Sequence, residues 1–220
     1  MKVIMSWTYG SPKKPTCEFV SDWLDAENAL IITEDLQKAG RLRDVEFRDE
    51  AGTSWSTKEL RKLLAEIEDE PQDVIVYFDG GYQKQNGLTG IGVVIYYTQG
   101  KTRWRIRMNA VLAELVSNNE AEYAAMFEAV RQLEELGVRP GSCTFRGDSQ
   151  VVLNQLSGEW PVFEENLNRW LDRIEEKINN LGIKPVYEHI VRKENTEADK
   201  LASQALNGEE IFSKLNVTEK

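Results

Sequence analysis

Hydrophobic and polar positions fall into two regimes along this chain, and they change near residue 70. In the second regime Val74-Ile75-Val76-Tyr77-Phe78 is a near-continuous apolar run, the pattern of a strand buried on both faces. Gly92 to Tyr97 predicts a second strand and Gln99-Gly100 a turn. Thr102 to Met108 alternates as a third strand. A helix is predicted from about Asn119 to Leu136, closed by Gly137. Ser142–Arg146 reads as strand four, Asp148–Leu156 as a short helix, and Glu164–Leu181 as a longer one ending at Gly182. Pro185–Ile190 reads as the fifth strand and Asn195–Leu206 as the last helix. A three-strand meander followed by alternating helices and strands predicts an α/β layer fold with a mixed sheet.

The first regime is shorter and less regular. Val3-Ile4-Met5 suits a strand, Ala29-Leu30-Ile31-Ile32 is a clearer apolar run, and Arg43 to Arg48 alternates as a half-buried strand does. Glu50–Thr53 reads as a turn, and Ser54–Ser56 as a short return strand or the approach to a cap. A helix follows Thr57 with Leu60, Leu63, Leu64 and Ile67 on one stripe. The unit reads as three or four short strands and a helix. The charge run Glu66–Glu70, ended by Pro71, marks a boundary. The expected organisation is a small α+β domain over 1–70, a larger domain over 73–206 and a tail over 207–220. Trp7, Trp23 and Trp55 suit either a base-stacking surface or a small core, and the core is favoured for at least two of them.

Composition narrows the class. Of 220 residues, 41% are hydrophobic and 29% charged, as in a soluble globular protein. No apolar run approaches the ~20 residues that span a bilayer. The N-terminus lacks the apolar stretch of about 7–15 residues of a secretory signal. Cys17 and Cys143 form no metal-binding pair and read as reduced thiols of a cytoplasmic protein. A net charge of −10 argues against nonspecific coating of nucleic acid. It is compatible with an enzyme whose carboxylates are neutralised by divalent ions.

Four carboxylates stand where elements meet. Asp79 ends the first buried strand, a costly place for an unpartnered charge. Glu122 lies in the first turns of a helix whose apolar stripe is Met126, Ala129, Val130 and Leu133, so it faces the sheet. Asp148 follows the fourth strand, and Asp199 lies in the last helix. Singly, each has an ordinary explanation: turn residue, helix-dipole partner, N-cap or solvated position. Together they describe an acidic hole that hard divalent cations would offset, Mg²⁺ being usual beside phosphate.

Val76-Tyr77-Phe78-Asp79-Gly80-Gly81, Ser117-Asn118-Asn119-Glu120-Ala121-Glu122-Tyr123, Gly147-Asp148-Ser149-Gln150 and Arg192–Ala202 resemble, in order, the four motifs of type 1 ribonuclease H. The form is that of the bacterial and archaeal branch with Asn-Asn-x-Ala-Glu-Tyr. The resemblance implies a five-stranded mixed sheet flanked by helices, its third strand at one edge. It also implies cleavage of the RNA strand of an RNA–DNA hybrid, leaving 5′-phosphate and 3′-hydroxyl ends. Asp79, Glu122, Asp148 and Asp199 carry over as catalytic residues and as ligands of two Mg²⁺ or Mn²⁺ ions. Glu120 is expected at the surface. Gly80, Gly81, Gln85, Ser117, Asn118, Asn119 and Gln150 are the expected substrate contacts. Asn118 also suits a helix N-cap, and Gln150 suits the surface equally well.

The chain departs from that pattern in places. Lys84-Gln85-Asn86-Gly87 stands where the family often has Gly-Asn-Pro-Gly, and Gln85 supplies an amide there. Ser157–Asn166 replaces a basic insertion, which leaves Arg103, Arg105 and Arg107 as sources of hybrid affinity or as a charged edge strand, the latter slightly favoured. His189, the only histidine, sits at a strand end and is expected to be structural. Two other readings compete with the nuclease. A binding-only module on the same fold would gain nothing from four clustered acids. Another metal nuclease or transferase on the fold is opposed by the Asn-Asn-x-Ala-Glu-Tyr form. Residues 1–70 suit a protein partner at least as well as the hybrid.

Overall fold

The computed structural model describes residues 1–10 and 15–217, which form two compact units, Met1–Asp69 and Glu70–Lys220. The first unit has strands β1 (Lys2–Tyr9), β2 (Cys17–Val20), β3 (Leu24–Asp25), β4 (Leu42–Asp49) and β5 (Ser54–Trp55), with helices α1 (Ala26–Lys38) and α2 (Thr57–Glu68). The strand order is β2-β1-β4-β5, antiparallel, with β3 also on β1. Residues 29–32 therefore belong to a helix, and the unit's described residues form two helices where the sequence suggested one. The reason is periodicity: Ala26, Ala29, Leu30 and Thr33 are buried at helical spacing, while Ile31 and Ile32 face solvent. Val3, Met5, Phe47 and Leu60 form the core with them, and Trp7 and Trp55 pack against it. Trp23 remains exposed. Ser56 caps α2 in a reciprocal bond pair with Glu59.

The second unit is built on β6 (Gln72–Gln83), β7 (Leu88–Gln99), β8 (Thr102–Ala113), β9 (Gly141–Gly147), β10 (Ile183–His189) and β11 (Phe212–Asn216). Its helices are α3 (Asn118–Leu136), α4 (Gln150–Leu156), α5 (Glu165–Asn180) and α6 (Thr196–Leu206). The sheet runs β10-β9-β6-β7-β8-β11. The strands β10, β9 and β6 are parallel, and the rest pair antiparallel. The fold is the expected mixed sheet flanked by helices. A sixth strand is added: residues 212–216 pair with β8 and are not a tail. The third strand is consequently not an edge. Arg105 and Arg107 are paired with Glu197 of α6, at 3.2 and 2.9 Å, and Arg103 lies over the Tyr96 ring.

The main core lies between one sheet face and α3, α4 and α5, centred on Val76, Phe78, Val93, Ile95, Tyr123, Met126, Phe145 and Ile174. On the other face α6 packs Ala198 and Leu201 against Val94. No helix among the described residues is long and apolar enough to cross a membrane.

Candidate active site

Three elements of the second unit deliver acids to one place. β6 carries Asp79, which sits beside Gly92 of β7. α3 brings Glu122 because Gly80 lets its N-terminal turn approach the strand: a Cβ on Gly80 would lie 2.2 Å from the Ala121 carbonyl carbon. Asp148 follows β9, which runs parallel to β6. One carboxylate oxygen from each of Asp79, Glu122 and Asp148 lies within 4.8 Å of the others. α6 is seated as tightly, since a Cβ on Gly92 would lie 2.2 Å from the Ala198 carbonyl oxygen. That places Asp199 near the trio but outside it, and Arg192 binds its Oδ1 at 2.8 Å.

The trio is electrostatically loaded. Burial pushes the Asp79 carboxyl up to about 7, and the neighbouring Asp148 and Asp199 charges push the same way, with Arg192 opposing. Glu122 is raised well above the usual carboxylate range, first by burial and then by Asp79 and Asp148. Its Oε2 is buried without a hydrogen-bond partner. Leaving such an atom unpaired costs about 1–3 kcal/mol. All candidate ligands are oxygens, the choice of hard divalent cations. Oxygens opposite one another on an ion at ~2.1 Å lie ~4.2 Å apart, so the trio needs little contraction to close on one. The residues present fit such an ion.

The expected substrate contacts fall into separate groups. Ser117, not Asn118, is the N-cap of α3: its Oγ accepts from the Glu120 N–H at 3.1 Å. Asn118 uses its Oδ1 to accept from the Tyr82 N–H at 3.1 Å, which ties α3 to β6. Asn119 is half-buried beside it. Gly80 and Gly81 lie within β6, next to Asp79. Gln85 is exposed in the β6–β7 turn, and Gln150 is exposed as the first residue of α4.

One residue differs from expectation. Glu120 is buried: its Oε2 accepts from the Val116 N–H at 2.9 Å and its Oε1 from the Trp170 indole at 3.2 Å. It anchors the start of α3 to α5 through Trp170, a long-range contact that no local spacing signals. His189 ends β10, and its exposed ring donates through Nε2 to the Asp148 carbonyl oxygen at 3.3 Å. A further residue went unremarked in the sequence. Asn195 is 1% exposed, and its Nδ2 donates to Asp148 Oδ1 and to the Phe78 carbonyl oxygen, both at 2.9 Å. Only its position three residues after Arg192 in the fourth motif hinted at it.

Comparison with known proteins points to the same fold. The sequence pattern of the family described as reverse transcriptase-like matches residues 77–205. The uncharacterized protein YpeP of Bacillus subtilis is 47% identical over 195 residues, covering 89% of this chain and 86% of that protein. That match is longer than the second unit and so extends into the first. Ribonuclease HI of Halobacterium salinarum is 30% identical over 140 residues, 61% of this chain and 64% of that protein's length. In solved structures, RNase H1 from Halobacterium salinarum aligns with a TM-score of 0.53 at 28% identity, over 62% of this chain and 98% of that one. LC11-RNase H1 in complex with RNA/DNA hybrid aligns at 0.56 and 29% identity, over 62% and 98%.

Proposed function

Since the chain belongs to the reverse transcriptase-like family and its second unit has the type 1 ribonuclease H fold, we propose that it is an endoribonuclease that hydrolyses the RNA strand of RNA–DNA hybrids. The observation that carries this reading is the convergence of Asp79, Glu122 and Asp148, from three elements, on one buried spot with Asp199 beside it. Two Mg²⁺ or Mn²⁺ ions held by these four carboxylates would supply the positive charge that polarises the phosphodiester and readies water for attack. Asp79, at the centre of the set, is the residue suited to serve both ions. Glu122 and Asp148 would serve one and Asp199 the other.

Attack of water on phosphorus breaks the bond to the 3′ oxygen, which takes a proton. The products are a 5′-phosphate and a 3′-hydroxyl. RNA is distinguished from DNA by its 2′-hydroxyl, a group that is both donor and acceptor. Asn118 has given its oxygen to Tyr82, and its NH₂ remains a donor for that hydroxyl. Asn119 and Glu122 belong to the same turn of α3 and complete the reading. Gln85 and Gln150 are outlying candidates for the DNA strand and the sugar.

The test is cleavage of a hybrid labelled separately on each strand, with Mg²⁺ or Mn²⁺, for wild type and Asp79→Asn. RNA-strand cleavage that needs the cation and disappears in the variant is the expected result. Binding of the hybrid without cleavage under either cation would replace the nuclease with the binding-only reading.

A further inference from the structure

We propose that Asn195 is the positioning residue that holds Asp79, Asp148 and Asp199 in register for cation binding; its chemistry rests on the nuclease reading above. Through its amide and its backbone, Asn195 reaches three of the four carboxylate-bearing segments. Its Nδ2 donates to the Phe78 carbonyl oxygen, one residue before Asp79, and to Asp148 Oδ1. Its own carbonyl oxygen accepts from the Asp199 N–H at 3.1 Å in the first turn of α6. Its N–H donates to the Arg192 carbonyl oxygen at 3.1 Å, closing the 3₁₀ turn Arg192–Glu194.

The residue type is not explained by the helix it precedes. An Asn in the N-cap position ordinarily accepts from a backbone N–H of the first turn. Asn195 makes no such bond, and its Oδ1 is buried without a partner. The amide has turned inward, and both of its donors are used across the sheet. The opposite amide orientation would set Oδ1 against two acceptors, the Phe78 carbonyl and the Asp148 carboxylate, so the hydrogen-bond network fixes the assignment. A carboxylate anchored at one oxygen presents the other in a set direction. Residues that orient a ligand in this way typically change cation affinity or activity by about 10–100-fold when replaced.

The test uses the full chain without substrate. Asn195→Leu keeps the branched shape of the side chain but removes both donors. Asn195→Ser keeps a single donor and serves if the leucine variant does not fold. Ala205→Gly weakens the same helix at a buried position away from the carboxylates. Calorimetric titration with Mn²⁺ is expected to show affinity at least tenfold weaker for Asn195→Leu, an intermediate loss for Asn195→Ser and none for Ala205→Gly. The Mg²⁺ concentration for half-maximal cleavage should rise in parallel, with KM for the hybrid within about twofold of wild type. Wild-type cation affinity in a folded Asn195 variant overturns the proposal, as does an equal loss in Ala205→Gly. Weakened cation binding alongside a wild type that cleaves no hybrid would keep Asn195 in its role and remove the nuclease reading instead.

Discussion

Replacing Asp79 by Asn should make the cation-free protein more stable at neutral and alkaline pH. A carboxyl moved from 3.8 to about 7 by burial and by its neighbours changes stability by about 1.4 kcal/mol per pH unit, or roughly 4 kcal/mol in all. Its folded pKa is raised, so the contribution to stability is full below pH 3.8 and is lost as pH rises through about 7. Asn195 and Arg192 allow some relaxation, and a gain of about 2–4 kcal/mol for Asp79→Asn at pH 8 is expected. That corresponds to a rise on the order of 5–15 °C in the melting of the second unit. The assay is thermal melting of both proteins in a chelator from pH 4 to pH 9. The two should agree near pH 4 and separate through pH 7. Added Mg²⁺ should then raise wild type more than the variant, which has lost the carboxylate suited to both ions. A variant less stable than wild type at pH 8 in chelator would refute the strained-carboxylate account.

Other substitutions test the scaffold. Gly80→Ala forces a methyl against the Ala121 carbonyl and should cost about 2–3 kcal/mol in urea unfolding, together with a loss of cleavage as Glu122 is displaced. Glu120→Ala leaves the Val116 N–H and the Trp170 indole without their acceptor; a loss of about 1–3 kcal/mol is expected, with Mn²⁺ affinity by calorimetry unchanged. Asn118→Ala should raise KM for the hybrid about tenfold, the equivalent of about 1.4 kcal/mol, in steady-state cleavage with little change in kcat.

Much of the second unit was legible because its central strands are largely buried and its long helices carry apolar positions at helical spacing. Val74–Phe78 and the Met126-Ala129-Val130-Leu133 stripe leave few alternatives. Ala29–Ile32 misled because four apolar residues fit a strand as well as one helical turn. The helix shows only in the wider spacing back to Ala26 and on to Thr33. β11 was invisible for the opposite reason: Phe212 and Leu215 remain exposed, so the strand is held by backbone bonds to β8 that no hydrophobic pattern announces. Among the acids, Glu122 was read from its helical face. Glu120 was misplaced because the start of α3 is enclosed by α5 as well as the sheet, which a single helical stripe does not convey. Asn195 acts through long-range bonds to residues 78 and 148, and local propensity marks it only as a helix cap.

The outermost strand also sets an order of events during synthesis. β8 is complete at Ala113, and its edge partner begins at Phe212, 99 positions later. At about 5–20 residues per second, the β8 edge exists for roughly 5–20 s before anything can pair with it. An open edge in that interval is a template for other nascent chains. The alternating Arg103, Arg105 and Arg107 put like charge on any second copy that approaches in register, so the strand discourages self-association until β11 closes the sheet.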